Sequence, residues 1–191
     1  MKEEKVIAVF GSSRPQTSDP DYREAYELGK ALAQKGLAVC GGGYGGVMEA
    51  SCRGAKDGGG KTYGVTADFF KRKANEWVDV EVRMKTWEER LFEMIRLADG
   101  FVACKGGTGT LVELAVVWEM INKSVISGKP FAVLGDFWQP VLDRVREVEQ
   151  VSGRPSTEEP KWREARGNLM HSAATPQEAA HYLAEQLKAR K

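Results

Sequence analysis

Three times in the first 110 residues, a short apolar run ends in a glycine-bearing corner and passes into a helical pattern. Residues 5–10 lead into Gly11-Ser12-Ser13, residues 37–40 into Gly41 to Gly46, and residues 101–104 into Gly106 to Gly109. A strand followed by a helix must cross over before the next strand can pair with it, so this alternation specifies parallel pairing. The strands are apolar along their whole length, as strands buried on both faces are. The chain therefore reads as α/β, an open parallel sheet with helices on both faces. In such a sheet, ligands gather beyond the carboxyl ends of the strands near the reversal of strand order, and the three corners are expected to converge there.

The other elements fit this frame. Asp19-Pro20 reads as an N-cap followed by proline at the first helical position, with Ala25, Leu28, Gly29 and Leu32 at helical spacing until Gly36. Val47, Ala50, Ser51 and Gly54 predict a close-packed helix ending at Gly58-Gly59-Gly60. Strands are predicted at 61–66 and 77–84. Between them Lys71-Arg72-Lys73 reads first as solvated surface and second as an edge of the ligand site. Thr86-Trp87-Glu88-Glu89 is a capping box opening a helix whose apolar face is Trp87, Leu91, Met94, Ile95 and Ala98. A strand at 129–134, a helix at 138–150, a short strand at 169–172 and a capped C-terminal helix at 175–191 complete the series. Residues 151–167 form an irregular polar segment, with Pro155 and Pro160, too long for an ordinary connector. At 191 residues the chain is read as a single domain, 1–191.

Composition removes several function classes. A net charge of +1, from 28 basic and 27 acidic residues, gives no electrostatic case for nucleic acid or a membrane surface as partner. Met1 to Lys5 leads into only a short apolar run, which predicts neither a signal peptide nor a membrane span. Cys40, Cys52 and Cys104 are odd in number and lack Cys-x-x-Cys spacing, the usage of reduced thiols in a cytoplasmic protein. His171 and His181 have no ligand cluster near them, so no metal site is expected.

The chemistry concentrates in residues 101–113. A strand, a tight corner and a helix start present unpaired amides and a positive dipole end, and Gly106, Gly107 and Gly109 let the backbone approach a ligand closely. Thr108 and Thr110 add hydroxyls, and a phosphate is the expected guest. In the helix that follows, Leu111, Leu114, Ala115 and Trp118 form one apolar stripe, while Val112, Val116, Val117, Met120 and Ile121 cover much of the rest. It is predicted to be largely buried, with hydrophobic surface left over for a homodimer interface. Glu113 then stands in apolar surroundings near the anion site, where a carboxylate either neutralises a backbone feature or has a chemical role. Arg90, in the first turn of its helix, is either a snorkelling surface residue or points at the same pocket.

Competing motifs weigh less. Gly41-x-Gly43-x-x-Gly46 matches the dinucleotide fingerprint but follows the second strand, with no acid placed for a ribose, which disfavours NAD-dependent redox chemistry. Gly58-Gly59-Gly60-Lys61-Thr62 has Ala55 where a P-loop needs glycine and leads from helix to strand. Cys40 and Cys104 lack a paired histidine and read as small buried residues.

Gly41-Gly42-Gly43-x-x-Gly46-Val47-Met48, then Arg90, then Gly106-Gly107-Thr108-Gly109-Thr110-x-x-Glu113 resemble, in order and spacing over residues 5–150, the Lonely Guy family, also called the "possible lysine decarboxylase" family. The resemblance implies a Rossmann-like fold, a homodimer, and hydrolysis of nucleoside 5′-monophosphates to free base and ribose 5-phosphate without a cofactor or metal. It implies that Gly106, Gly107, Thr108, Gly109 and Thr110 hold the phosphate and that Arg90 and Glu113 are the catalytic pair. Gly11, Ser12, Ser13, Gly42 and Gly43 are expected to contact the small-molecule nucleotide. Two positions depart from the family pattern: Lys105 replaces the signature proline, and Leu91 replaces the lysine that follows the arginine. The alternative is a non-catalytic binding protein, because molybdenum-cofactor carriers, whose pterin ligand also bears a phosphate, resemble this family.

Overall fold

The computed structural model describes residues 4–151 and 170–189. Within them, β1 (Lys5–Phe10), α1 (Pro20–Gln34), β2 (Leu37–Gly41), α2 (Val47–Asp57), β3 (Thr62–Ala67) and β4 (Val80–Met84) are followed by α3 (Trp87–Leu97) and β5 (Gly100–Ala103). Then come α4 (Thr108–Asn122), β6 (Phe131–Leu134), α5 (Gln139–Val151), β7 (His171–Ala173) and α6 (Pro176–Lys188). All seven strands are parallel, in the order β4-β3-β2-β1-β5-β6-β7. The chain winds outward from β1 to β4 and returns across the sheet to place β5 on the other side of β1. The strand order therefore reverses between β1 and β5, the two strands that end in the Gly11 and Gly106 corners.

Period-two alternation sorts each strand's side chains to two cores. Ile7 and Val9 of β1 face one core, closed by α1, α2 and α6, while Val6, Ala8 and Phe10 face the other, closed by α3, α4 and α5. The α1 and α2 backbones pack very closely. A methyl on Gly29 would overlap the Ser51 carbonyl, and one on Gly54 the Tyr26 carbonyl.

Local signals fix most boundaries. Thr86 Oγ1 accepts the Glu89 N–H at 3.2 Å and the Glu89 carboxylate accepts the Thr86 N–H at 3.1 Å, so the capping box forms. Asp19 occupies the N-cap of α1, but its carboxylate accepts the Gln16 N–H instead of a helix amide. The strand expected at 77–84 begins only at Val80, because Asp79 bends away to accept both the amide and the hydroxyl of Thr62. The polar segment at 152–167 lies outside the described residues, as does the start of the strand expected at 169–172. That strand is observed at His171–Ala173.

The prediction that α4 is largely buried needs correction. Leu114, Val117, Trp118 and Ile121 are buried, whereas Leu111 is 37% exposed and Ala115 is exposed. A sheet covers one side of a helix, so the outer part of the stripe borders a groove of about 210 Å³ shared with Val141 and Val145 of α5. No helix among the described residues is long and apolar enough to cross a membrane.

Candidate functional site

The register of β1 against β5 pairs Phe10 with Ala103, so the two corners leave the sheet side by side. Cys104 N–H donates to the Phe10 carbonyl at 2.8 Å and Ser12 N–H to the Lys105 carbonyl at 3.2 Å, which ties the corners together. Trp138 Nε1 donates to the Cys104 carbonyl at 2.9 Å and braces the turn from behind. Gly106 is obligatory for space, since a methyl there would overlap the Thr110 side chain and crowd the Ser12 amide. α4 opens at Gly107 with no side chain capping it, so its first-turn amides have no intrahelical acceptor and face the cavity mouth.

Above this edge lies a cavity of about 690 Å³. It is lined by Gly11, Ser12 and Ser13 from the first corner, by Gly106, Gly107, Thr108, Gly109 and Thr110 from the last, and by Arg90 and Glu113. Arg90 is only 6% exposed, an unusual burial for a guanidinium that needs strong compensation. Its Nε donates to the Val65 carbonyl of β3 at 2.8 Å, and the group lies 5.6 Å from the ring centres of both Tyr44 and Phe70. Nη1 stands 3.9 Å from Oε1 of Glu113.

At that distance the pair is electrostatic rather than a tight hydrogen bond. Burial pushes the Glu113 carboxyl up to about 7, with Arg90 pulling it back. Burial likewise lowers the Arg90 guanidinium below its ordinary value, although an arginine remains protonated at any physiological pH. Glu113 is thus poised near neutrality, where a small change in its surroundings changes its charge.

Gly42 and Gly43, expected to contact ligand, do not line the cavity. A methyl on Gly42 would overlap Nη2 of Arg90, so this glycine forms the seat under the guanidinium. Gly43, at φ 76°, turns the chain tightly past Thr66 and Gly64. Conversely, the cavity takes in residues that the motifs did not single out as site residues. Tyr44, Phe70 and Trp87 give it an aromatic wall, and Arg14, Arg72 and Lys105 add positive charge. Tyr44 lies inside the glycine run and Arg72 inside the basic loop, so both had a signal in the sequence. Phe70 had none, because only the 3-10 turn at Asp68–Phe70 brings it over Arg90. Leu91, at the departure from the family's arginine-lysine pair, is buried in the core and contributes nothing to the cavity.

Cys40, Cys52 and Cys104 are free and buried. Burial raises the Cys52 thiol to about 12 and the other two further, so none supplies a thiolate nucleophile at neutral pH. Among the described residues, no three His, Cys, Asp or Glu side chains gather as metal ligands would.

A seven-stranded, doubly wound parallel sheet with its cavity at the strand-order reversal defines the chain as a Rossmann-like α/β protein whose cavity lies where such sheets take their ligands. The particular kinship is equally plain. The chain belongs to the SLOG cluster4 family, whose model matches residues 4–156. It is 37% identical over 146 residues to the cytokinin riboside 5′-monophosphate phosphoribohydrolase LOG of Oryza sativa subsp. japonica, a match covering 72% of this chain and 58% of the rice protein. It is 33% identical over 135 residues to the cytokinin riboside 5′-monophosphate phosphoribohydrolase of Mycobacterium marinum, covering 66% of this chain and 71% of that one. Its fold is similar to that of the molybdenum cofactor binding protein of Rippkaea orientalis, with a TM-score of 0.73 at 23% identity over 98% of this chain and 99% of the other.

Proposed function

We propose that this chain hydrolyses the N-glycosidic bond of a nucleoside 5′-monophosphate, giving free base and ribose 5-phosphate. The observation that carries the reading is a buried guanidinium and a largely buried carboxylate, 3.9 Å apart, lining one cavity with the uncapped start of α4. The names of the rice and mycobacterial relatives support the same reaction class. In this reading the amides at the start of α4, with Gly106, Gly107 and the Thr108 and Thr110 hydroxyls, hold the 5′-phosphate. Gly11, Ser12 and Ser13 form the facing wall, and Tyr44, Phe70 and Trp87 offer the base an aromatic wall.

Cleavage of the bond from the ribose carbon to the base nitrogen builds positive charge on the sugar and negative charge on the base. Ionised Glu113 stabilises the former and orients the water whose hydroxyl adds to the ribose carbon, while the remaining proton ends on the departing nitrogen. Arg90 stays protonated, so its contribution is electrostatic stabilisation and positioning, strengthened by low local polarity. The groove between α4 and α5 is assigned to a second copy of the chain, giving a homodimer.

The test is release of ribose 5-phosphate from a panel of nucleoside 5′-monophosphates. Glu113→Gln and Arg90→Ala are expected to lower turnover by about a hundredfold or more with unchanged circular dichroism. No release across the panel would refute the hydrolase reading. Tight binding of a phosphorylated pterin without turnover, indifferent to Glu113→Gln, would replace it with a carrier.

A further inference from the structure

Lys105 ends the β5 corner, and its backbone is fixed where its carbonyl accepts the Ser12 N–H. Its side chain lines the cavity beside Asp21, Arg14 and Phe137. The ammonium lies 3.1 Å from Oδ2 and 3.3 Å from Oδ1 of Asp21, and 6.0 Å from the centre of the Phe137 ring. With 51% of the lysine side chain and 33% of the aspartate side chain exposed, water screens this pair and either member can exchange its partner at little cost. Burial, with the Asp21 charge, raises the carboxyl of Glu24, one turn along α1, and the same ammonium only partly draws it back. The rim therefore holds an ammonium already paired with a carboxylate, lining the same cavity as the first turn of α4.

We propose that Lys105 is a specificity residue for a terminal phosphate monoester, its ammonium passing from Asp21 to the phosphate when the ligand enters. This rests on the phosphate site proposed above. The exchange is favourable only for a ligand with more charge than the carboxylate it displaces. A phosphate monoester carries about −1.5 to −2 at pH 7, whereas a cyclic phosphate or phosphodiester carries a single charge and gains nothing over Asp21. Lysine suits the task because its ammonium is a compact charge with three donors on a flexible stem, able to follow the phosphate without fixed geometry. Asp21, released, lies in the first turn of α1, where the helix dipole continues to stabilise its charge. The Asp21 and Lys105 pair thus selects for charge as well as shape: the ammonium keeps its carboxylate partner until a dianion arrives.

The experiment is calorimetric titration with ribose 5-phosphate, which carries no base, and with adenosine 3′,5′-cyclic monophosphate, alongside KM and kcat for a turned-over nucleoside 5′-monophosphate. Lys105→Met is expected to weaken ribose 5-phosphate binding and raise KM by about tenfold, with kcat within about twofold. Lys105→Arg should stay within about threefold of wild type, and Asp21→Asn should tighten ribose 5-phosphate by about twofold to fivefold by removing the competitor. Cyclic nucleotide binding should not respond to Lys105→Met. Unchanged ribose 5-phosphate affinity in Lys105→Met, or an equal loss for the cyclic nucleotide, overturns the assignment even if turnover is intact. Ribose 5-phosphate binding that depends on Lys105, in a chain that hydrolyses no nucleotide, upholds it while the hydrolase reading falls. Failure of the wild-type chain to bind ribose 5-phosphate overturns the assignment, whereas the hydrolase reading falls only if no nucleotide is hydrolysed.

Discussion

Gly42→Ala tests whether the position of Arg90, rather than its mere presence, makes the site. Gly42 does not have positive φ, so its backbone accepts alanine and the objection is space alone. The added methyl would overlap Nη2 of Arg90 and lie 2.6 Å from the Met48 sulfur. Restoring ordinary contact distances of about 3.5 Å requires the guanidinium to move by about 2 Å. That displacement breaks the 2.8 Å bond from Nε to the Val65 carbonyl and takes the guanidinium out of the position from which it pulls the Glu113 carboxyl down. The lost charged hydrogen bond is worth about 2 kcal/mol, which lowers the melting temperature by roughly 4–8 °C in a chain of this size. The catalytic consequence is larger: kcat/KM for ribose 5-phosphate release should fall by about a hundredfold, as for Arg90→Ala. The decisive readout is the pH profile. Activity should rise with pH through about 7 in the wild type, as Glu113 ionises, and at a higher pH in Gly42→Ala if the displaced guanidinium opposes burial less. A variant with wild-type kcat/KM, or one with reduced activity but an unmoved acid limb, would refute the reasoning.

Other consequences can be measured independently. Because folding raises the Glu113 carboxyl from its ordinary 4.5 to about 7, the folded chain holds a proton that the unfolded chain has lost between those values. Its stabilising contribution is complete below pH 4.5 and is lost as pH rises through 7, at most about 3 kcal/mol, so the melting temperature of wild type should fall relative to Glu113→Gln over that window. A flat difference would contradict this. Leu111→Arg places a charge in the groove between α4 and α5 and is expected to convert the proposed homodimer to a monomer by light scattering, whereas an unchanged mass would remove the groove as the interface. Thr86→Ala deletes the α3 cap and should cost about 1 kcal/mol, seen as a melting-temperature drop of about 2–4 °C.

Much of this architecture was legible before any coordinates. Strand-to-corner-to-helix units at Gly11, Gly41 to Gly46 and Gly106 to Gly109 specify parallel pairing, and the Thr86 capping box fixes the start of α3. These signals are local, depending on residues within a turn or two, and local rules read them correctly. The helix from Thr108 was also located correctly, but its burial was overstated. Apolar spacing shows which residues share a face and not what covers that face, so Leu111 and Ala115 border an open groove. Gly42, which lies under Arg90, shows the same limit. A glycine beside a ligand and a glycine beneath an arginine look alike in sequence.

The amino-acid sequence by itself determined the α/β class, the helix and strand periods, the glycine corners and an acid on an apolar helix beside one of them. Only the tertiary structure decided that β5 returns beside β1 and that Arg90 lies over Gly42 within 3.9 Å of Glu113. It alone brought Phe70 and Lys105 to the same cavity. The division has a physical cause: hydrogen bonding within a turn is set by neighbours along the chain, whereas desolvation and charge pairing are set by neighbours in space. For Arg90, Val65 and Glu113 those neighbours are separated by more than twenty residues, and burial shared among them raises the Glu113 carboxyl.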